Sequence, residues 1–213
     1  MRLLLTGFEP FNHSSTNPSM QAVLRLAGSP PAGIELYTAI LPVEHRRGPQ
    51  ELLRAIEAAR PEAVVCLGEA GREGLSIERV AVNLIEDAIP DNAGEQWVDQ
   101  PVAPDGPAAY LTTLPARAMQ QAILEAGVPV ELSLTAGAFL CNQVAYTLMH
   151  YLATRGGSEI IPAGFIHLPQ LPEQAAALKF AHPEKGIRPT MSLETVIHGL
   201  EAGLKVLHEN SHR

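Results

Sequence analysis

Ala63-Val64-Val65-Cys66-Leu67 is an unbroken apolar run that ends at Gly68. Apolar residues without alternation describe a strand buried on both faces, as in a parallel sheet covered by helices on either side. The flanking sequence agrees. Pro49 to Arg60 predicts a helix with Leu52, Leu53 and Ile56 on one stripe. Ile34 to Leu41 and Arg2 to Thr6 predict strands. Between them, Asn17-Pro18-Ser19 reads as a helix start, with Asn17 as N-cap and Gly28 as the stop.

Downstream, Leu75 to Leu84 predicts a longer strand with Ser76, Glu78, Val80 and Val82 on one face. A helix is expected over Pro115 to Ala126, closed by Gly127. A strand over Val130 to Thr135, a helix over Leu140 to Thr154 and a strand over Ile160 to Leu168 follow. The closing helix spans Met191 to Glu209, capped by Ser192 or Thr190. Residues 86–114, rich in proline, and residues 169–189 read as irregular loops. Strands alternating with helices place the chain in the α/β class. The expected architecture is a single-domain three-layer α/β/α sandwich over residues 1–213, with a mainly parallel, mixed central sheet.

Composition sets outer bounds. The 213 residues are 46% hydrophobic and 18% charged, enough apolar material for a packed core and too little charge for a disordered chain. Acidic residues outnumber basic ones, 23 to 15, for a net charge of −8. Without a basic run this argues against nucleic acid as a partner. No apolar stretch approaches twenty residues, so neither a membrane span nor a membrane partner is expected. The opening Met-Arg-Leu-Leu-Leu-Thr-Gly is too short for a signal segment, which makes a soluble, cytoplasmic protein the expectation. Cys66 and Cys141 should then be reduced thiols.

Ligands of such sheets bind at the carboxyl ends of strands. Cys141 lies between a predicted strand and helix, after the small-residue turn Thr135-Ala136-Gly137-Ala138. A helix N-terminus lowers a thiol pKa and offers amides to an oxyanion. A small buried hydrophobe is the competing reading, and position alone leaves both open. Cys66, inside a strand, reads as packing. His167 ends a buried run, where it is either a base or a satisfied core histidine. Glu78 on a largely apolar stripe is either a surface residue or a carboxylate needing a partner, which a histidine could supply. A thiol, a base and an acceptor that fixes the base's tautomer make one catalytic set. The remaining histidines fall in helices (His150, His198, His208), near turns (His13, His45, His182) or in the tail (His212). None shows ligand spacing, so no metal or cofactor is expected.

Several segments together resemble the pyrrolidone-carboxylate peptidases, also called pyroglutamyl peptidase I, of the cysteine peptidase C15 type. These are Thr6-Gly7-Phe8-Glu9-Pro10-Phe11 with Asn17-Pro18-Ser19, Gly71-Arg72 with Ile77 to Asn83, Ile89-Pro90-Asp91-Asn92, Pro104 to Tyr110, Thr135-Ala136-Gly137 with Phe139 and Cys141-Asn142, and Gly164 to Pro169 with Pro172. The resemblance implies that Cys141 is the nucleophile, His167 the general base and acid, and Glu78 the residue orienting His167. It implies small peptides with an N-terminal pyroglutamate as substrates, and a homodimer or homotetramer. Phe8, Phe11 and Phe139 would wall a pocket for the flat, neutral lactam. Asn17 and backbone near Glu69 would meet its polar edge.

The chain departs from the family pattern in three places. Glu69 stands where the family usually has Gln, and Asn12-His13 where it commonly has Gly-Gly. Ala88 stands where it usually has Arg. Loss of a cation beside a thiolate weakens charge stabilisation, so a non-catalytic or weakly active binder of pyroglutamyl or other cyclic ligands is the alternative. A nucleoside phosphorylase-like enzyme would need a glycine-rich phosphate loop, and none stands out.

Overall fold

The computed structural model describes residues 1–12, 14–155, 160–184, 186 and 188–210. His13 and His212 lie outside the described residues. The elements in chain order are β1 (Arg2–Phe8), α1 (Pro18–Gly28), β2 (Glu35–Leu41), α2 (Arg47–Ala59), β3 (Ala63–Glu69), β4 (Leu75–Glu78), β5 (Val80–Val82), β6 (Ala109–Leu111), α3 (Ala116–Glu125), β7 (Val130–Ser133), α4 (Leu140–Thr154), β8 (Ala163–Leu168), α5 (Pro172–Ala181) and α6 (Leu193–Asn210).

The central sheet has the order β2-β1-β3-β8-β4-β7. The first four strands are mutually parallel, β8 and β4 are antiparallel, and β4 and β7 are parallel. This is the mixed, mainly parallel sheet expected from the sequence. The apolar strand β3 sits at its centre. Alternate residues of β3 enter different cores. Val65 and Leu67 pack with α1, α3 and α6 through Val23, Met119, Ile123 and Leu200. Val64 and Cys66 pack with α2 and α4 through Leu52, Ile56, Val144 and Leu148. An unalternating apolar sequence is what a two-faced strand requires.

Two local choices position the site. Asn17 caps α1: its Oδ1 accepts from the Ser19 backbone N–H at 3.0 Å and from the Ser19 hydroxyl at 2.7 Å. Ser19 Oγ in turn accepts from Phe8 N at 2.9 Å. That approach needs Gly7, because a Cβ there would lie 2.5 Å from Ser19 O. In α6, Ser192 Oγ accepts from Thr195 N at 3.1 Å, so of the two expected caps Ser192 does the capping.

Three expectations are corrected. The predicted strand over Leu75 to Leu84 breaks at Arg79. Arg79 N donates to Ser133 O and its carbonyl accepts from Thr112 N, which turns the chain out of the main sheet. Val80 and Val82 therefore leave the face of Ser76 and Glu78, and β5 pairs antiparallel with β6 in a two-stranded sheet. The 86–114 excursion is thus not wholly irregular, since it contains β6. Residues 169–189 contain α5, started by Pro172 at its first turn.

Candidate active site

Strand register assembles the first pair. Ser76 of β4 faces His167 of β8, and Glu78 faces Phe165. Period two puts Glu78 and His167 diagonally on one face, within reach of a long side chain. Glu78 Oε1 lies 2.7 Å from His167 Nδ1, and both residues are only 3% exposed. With Glu78 as a carboxylate, Nδ1–H donates and Nε2 remains the basic nitrogen. Arg72 Nη2 lies 3.5 Å from the same Oε1, so a cation also supports the carboxylate. Arg72 further donates to Thr135 O at 3.0 Å, on the turn that leads to α4.

That turn delivers the thiol. Gly137 adopts φ 77°, which L side chains disfavour, and Phe139 is the extended N-cap of α4. Cys141 is the second helical residue. Its neighbour Asn142 is fully buried and fastens the turn. Its Oδ1 accepts from Val82 N at 2.9 Å, and its Nδ2 donates to Val82 O and Leu84 O at 2.9 Å each. The thiol rests over Gly68, where a Cβ would lie 2.9 Å from Sγ and 2.7 Å from Phe165 Cζ. Gly68 is the register partner of His167. One glycine thus lets the α4 thiol approach the sheet beside the histidine.

Cys141 is half-buried, with one side on a cavity. Desolvation nonetheless dominates its titration. Burial pushes the thiol up to about 12, the charges of Glu78 and Glu69 push the same way, and its own backbone N–H opposes them. Cys66 is likewise pushed up to about 12 by burial, as suits a packing residue.

The cavity beside Cys141 has a volume of about 810 Å³. Phe8, Phe11, Asn17, Glu69 and Phe139 all line it, so the structure gathers every residue expected there. The Phe11 and Phe139 rings lie 5.4 Å apart at 36°. Phe8 is 3% exposed and sits mainly in the α2/α4 core, 6.4 Å from Phe165. Asn17 spends its Oδ1 on the α1 cap and donates one Nδ2–H to Glu9 O at 3.1 Å. Glu69 is held by two amides: Gln170 donates to Oε1 at 2.8 Å and Gln174 to Oε2 at 2.9 Å. Ala88 is exposed, and the next residue, Ile89, reaches the cavity.

Sequence reasoning missed the support that Arg72 gives Glu78 and the wall that α5 builds through Gln174, Ala177 and Leu178. Arg72 carried a usable signal: it follows Gly71 in a segment already matched to the family. The α5 signal was Pro172 before an alanine-rich run, masked by the prolines around it.

A thiol at a helix N-terminus, beside a histidine–carboxylate pair on the carboxyl edge of an α/β/α sheet, defines a cysteine peptidase type of site. The pyroglutamyl peptidase family model matches residues 1–210. The chain is 49% identical to a pyrrolidone-carboxylate peptidase of Gloeobacter violaceus over 97% of each chain. It is 46% identical to one of Streptomyces coelicolor over 94% of this chain and 89% of the relative. A mutant pyrrolidone carboxyl peptidase from Pyrococcus furiosus superposes with a TM-score of 0.92 at 34% identity, covering 99% of both chains. Pyroglutamyl peptidase I of Bacillus amyloliquefaciens gives 0.89 at 34% identity, covering 98% of this chain and 97% of that one. The chain belongs to the pyroglutamyl peptidase family of cysteine peptidases. The alternative of a non-catalytic binder, suggested by Ala88, is not favoured.

Proposed function

We propose that this chain hydrolyses the bond after an N-terminal pyroglutamyl residue, with Cys141 as nucleophile, His167 as base and acid, and Glu78 as the group that orients His167. The carrying observation is the thiol over Gly68, the register partner of a histidine whose Nδ1 meets Glu78 at 2.7 Å. A thiol pushed up to about 12 rests protonated at neutral pH, so it needs a base at the moment of attack. His167 Nε2 takes the Sγ proton as sulfur bonds to the pyroglutamyl carbonyl carbon. The carbonyl oxygen becomes an oxyanion, held by amides of the first turn of α4. The C–N bond breaks, and the leaving amine takes the proton from His167. Water then gives a proton to His167 as its oxygen bonds to the thioester carbon, the C–S bond breaks to release pyroglutamic acid, and His167 returns the proton to sulfur.

The tilted Phe11 and Phe139 rings suit a flat, uncharged lactam. Phe8 closes the pocket base. Asn17 keeps one Nδ2–H for the lactam carbonyl, and backbone near Glu69 meets the lactam N–H. The Glu69 side chain, fastened to Gln170 and Gln174, contributes charge and shape. The substrates are small peptides. A cytoplasmic homodimer or homotetramer completes this reading, and light scattering on the purified chain tests the assembly. Among the described residues, no helix is long and apolar enough to cross a membrane.

Turnover of pyroglutamyl-aminomethylcoumarin, with the prolyl analogue as control, tests the function. Cleavage of the first alone supports it. Cleavage of neither, by a folded chain, contradicts it.

A further inference from the structure

Among the described residues two histidines are buried, and the mechanism uses only His167. The other, His45, lies in the turn between β2 and α2, and its side chain and that of Asp87 are fully shielded from solvent. His45 Nδ1 is 2.8 Å from Gln143 Oε1. The Gln143 amide cannot be reversed without loss, because its Nε2 donates to the His45 carbonyl at 3.1 Å. Oε1 is therefore the acceptor, and Nδ1 must carry a hydrogen. On the other side of the ring, Nε2 is 2.7 Å from Asp87 Oδ2. That oxygen already accepts from Trp97 N at 2.6 Å. The two atoms are in close polar contact in a site dry enough that each needs the other. The contact is oblique to the ring N–H direction, so its attraction is electrostatic more than directional.

The surroundings hold this contact in a fixed frame. The Trp97 indole stacks on the His45 ring at 4.8 Å and 16°, and the Arg46 guanidinium lies 5.5 Å from the indole centroid. Glu95 accepts from Trp97 Nε1 and from Arg46. Asp91 accepts the His45 backbone N–H at 2.8 Å. The charged groups around the ring are thus Asp87, Asp91 and Glu95 from the 86–114 segment and Arg46 beside it, with the neutral Gln143 from α4.

This frame abuts the cavity from behind. The His45 and Phe139 rings meet in a T-shape, 5.5 Å apart at 87°. Gln143 stands in the first turn of α4, and its N–H bonds to Phe139 O at 3.0 Å. Two residues beyond Asp87, Ile89 lines the cavity. One buried ring therefore touches the aromatic wall and the thiol-bearing helix, and through Asp87 the segment leading to Ile89. We propose that His45 and Asp87 form a positioning pair: their buried contact fixes Phe139 and the 87–89 segment, and so sets the affinity of the pocket for its cyclic acyl residue. This rests on the reading of Phe139 as a wall of the pyroglutamyl pocket. The pair touches neither Cys141 nor His167, so it acts on binding and leaves the chemical step unchanged.

Asp87→Asn tests the pair without changing its shape. An asparagine must face both Trp97 N–H and the ring, and it can satisfy only one arrangement with either its oxygen or its amide. The expected result is a weakening of about tenfold in both KM for the coumarin reporter and Kd for pyroglutamic acid, with kcat held within about twofold after active-site titration. A merely structural role would lower the active fraction and leave KM and Kd at their original values, and that result overturns the proposal. Nitrogen NMR of labelled histidines in the unmodified protein gives an independent reading that does not depend on a variant folding. The ring signal absent from His45→Gln should show a protonated Nδ1, as the Gln143 contacts require, and a bare Nδ1 there overturns the proposal. If the unmodified chain binds pyroglutamic acid yet hydrolyses nothing, the proposed activity fails, and the Kd comparison alone decides the pair.

Discussion

Glu78 Oε1 and His167 Nδ1 lie 2.7 Å apart across the one antiparallel junction of the main sheet. The junction matters because it sets Glu78 diagonally from His167, with Arg72 reaching the same carboxylate from the loop after β3. Burial makes the pair costly to break, since without Glu78 the His167 Nδ1 would be an unmatched polar group in a dry site.

Glu78→Gln keeps an oxygen facing Nδ1 and removes the charge that supports a protonated His167. Circular dichroism should be unchanged while kcat falls by about 10²-fold or more. A loss of less than about threefold would show that the carboxylate does not act through His167.

The titration of Cys141 predicts how it is alkylated. Burial first, then Glu78 and Glu69, raise the thiol to about 12, so the protonated form prevails at neutral pH and the thiolate fraction grows as pH rises. Iodoacetamide labelling of native Cys141 should climb about tenfold per pH unit through pH about 9, without levelling off. Glu69→Gln removes one raising charge and should speed labelling at fixed pH. A plateau near neutrality would instead reveal a preformed thiolate. Cys66, fully buried, should stay unlabelled until the fold opens.

Gly68→Ala tests the approach of helix to sheet. The added methyl would sit 2.9 Å from Cys141 Sγ and 2.7 Å from Phe165 Cζ, so the thiol and the ring must move. Such overpacking costs about 1–3 kcal/mol, readable in urea unfolding, and kcat should fall with it. Unchanged turnover would mean that the thiol does not need its seat beside His167.

Asn142→Ala removes three hydrogen bonds that tie the first turn of α4 to Val82 and Leu84. The orphaned backbone groups should lower stability by about 1–3 kcal/mol in urea denaturation. A neutral effect would show that water replaces the side chain and that the turn holds itself.

Much of the fold was legible because its strongest signals are local. The apolar run at Val64 to Leu67, the Asn17 cap, the Gly28 stop and the Ser192 cap each state their structure within a few residues. Cys141, His167 and Glu78 were legible as candidates, and the structure seats the thiol over Gly68, the register partner of a histidine bonded to Glu78. What stayed hidden depends on distant partners. The break at Arg79 is made by Ser133 and Thr112, and the three-residue strands β5 and β6 are too short to show a period. α5 is amphipathic too weakly to stand out between prolines. His45 looked like a turn residue because Asp87, Trp97 and Gln143, its partners, are remote in sequence.

The central claim is that Cys141 performs the attack. Cys141→Ala, purified and shown folded, should give no turnover of pyroglutamyl-aminomethylcoumarin above the uncatalysed rate, while pyroglutamic acid still binds. Turnover within about tenfold of the unmodified chain would contradict the account, because no other thiol lines the cavity among the described residues.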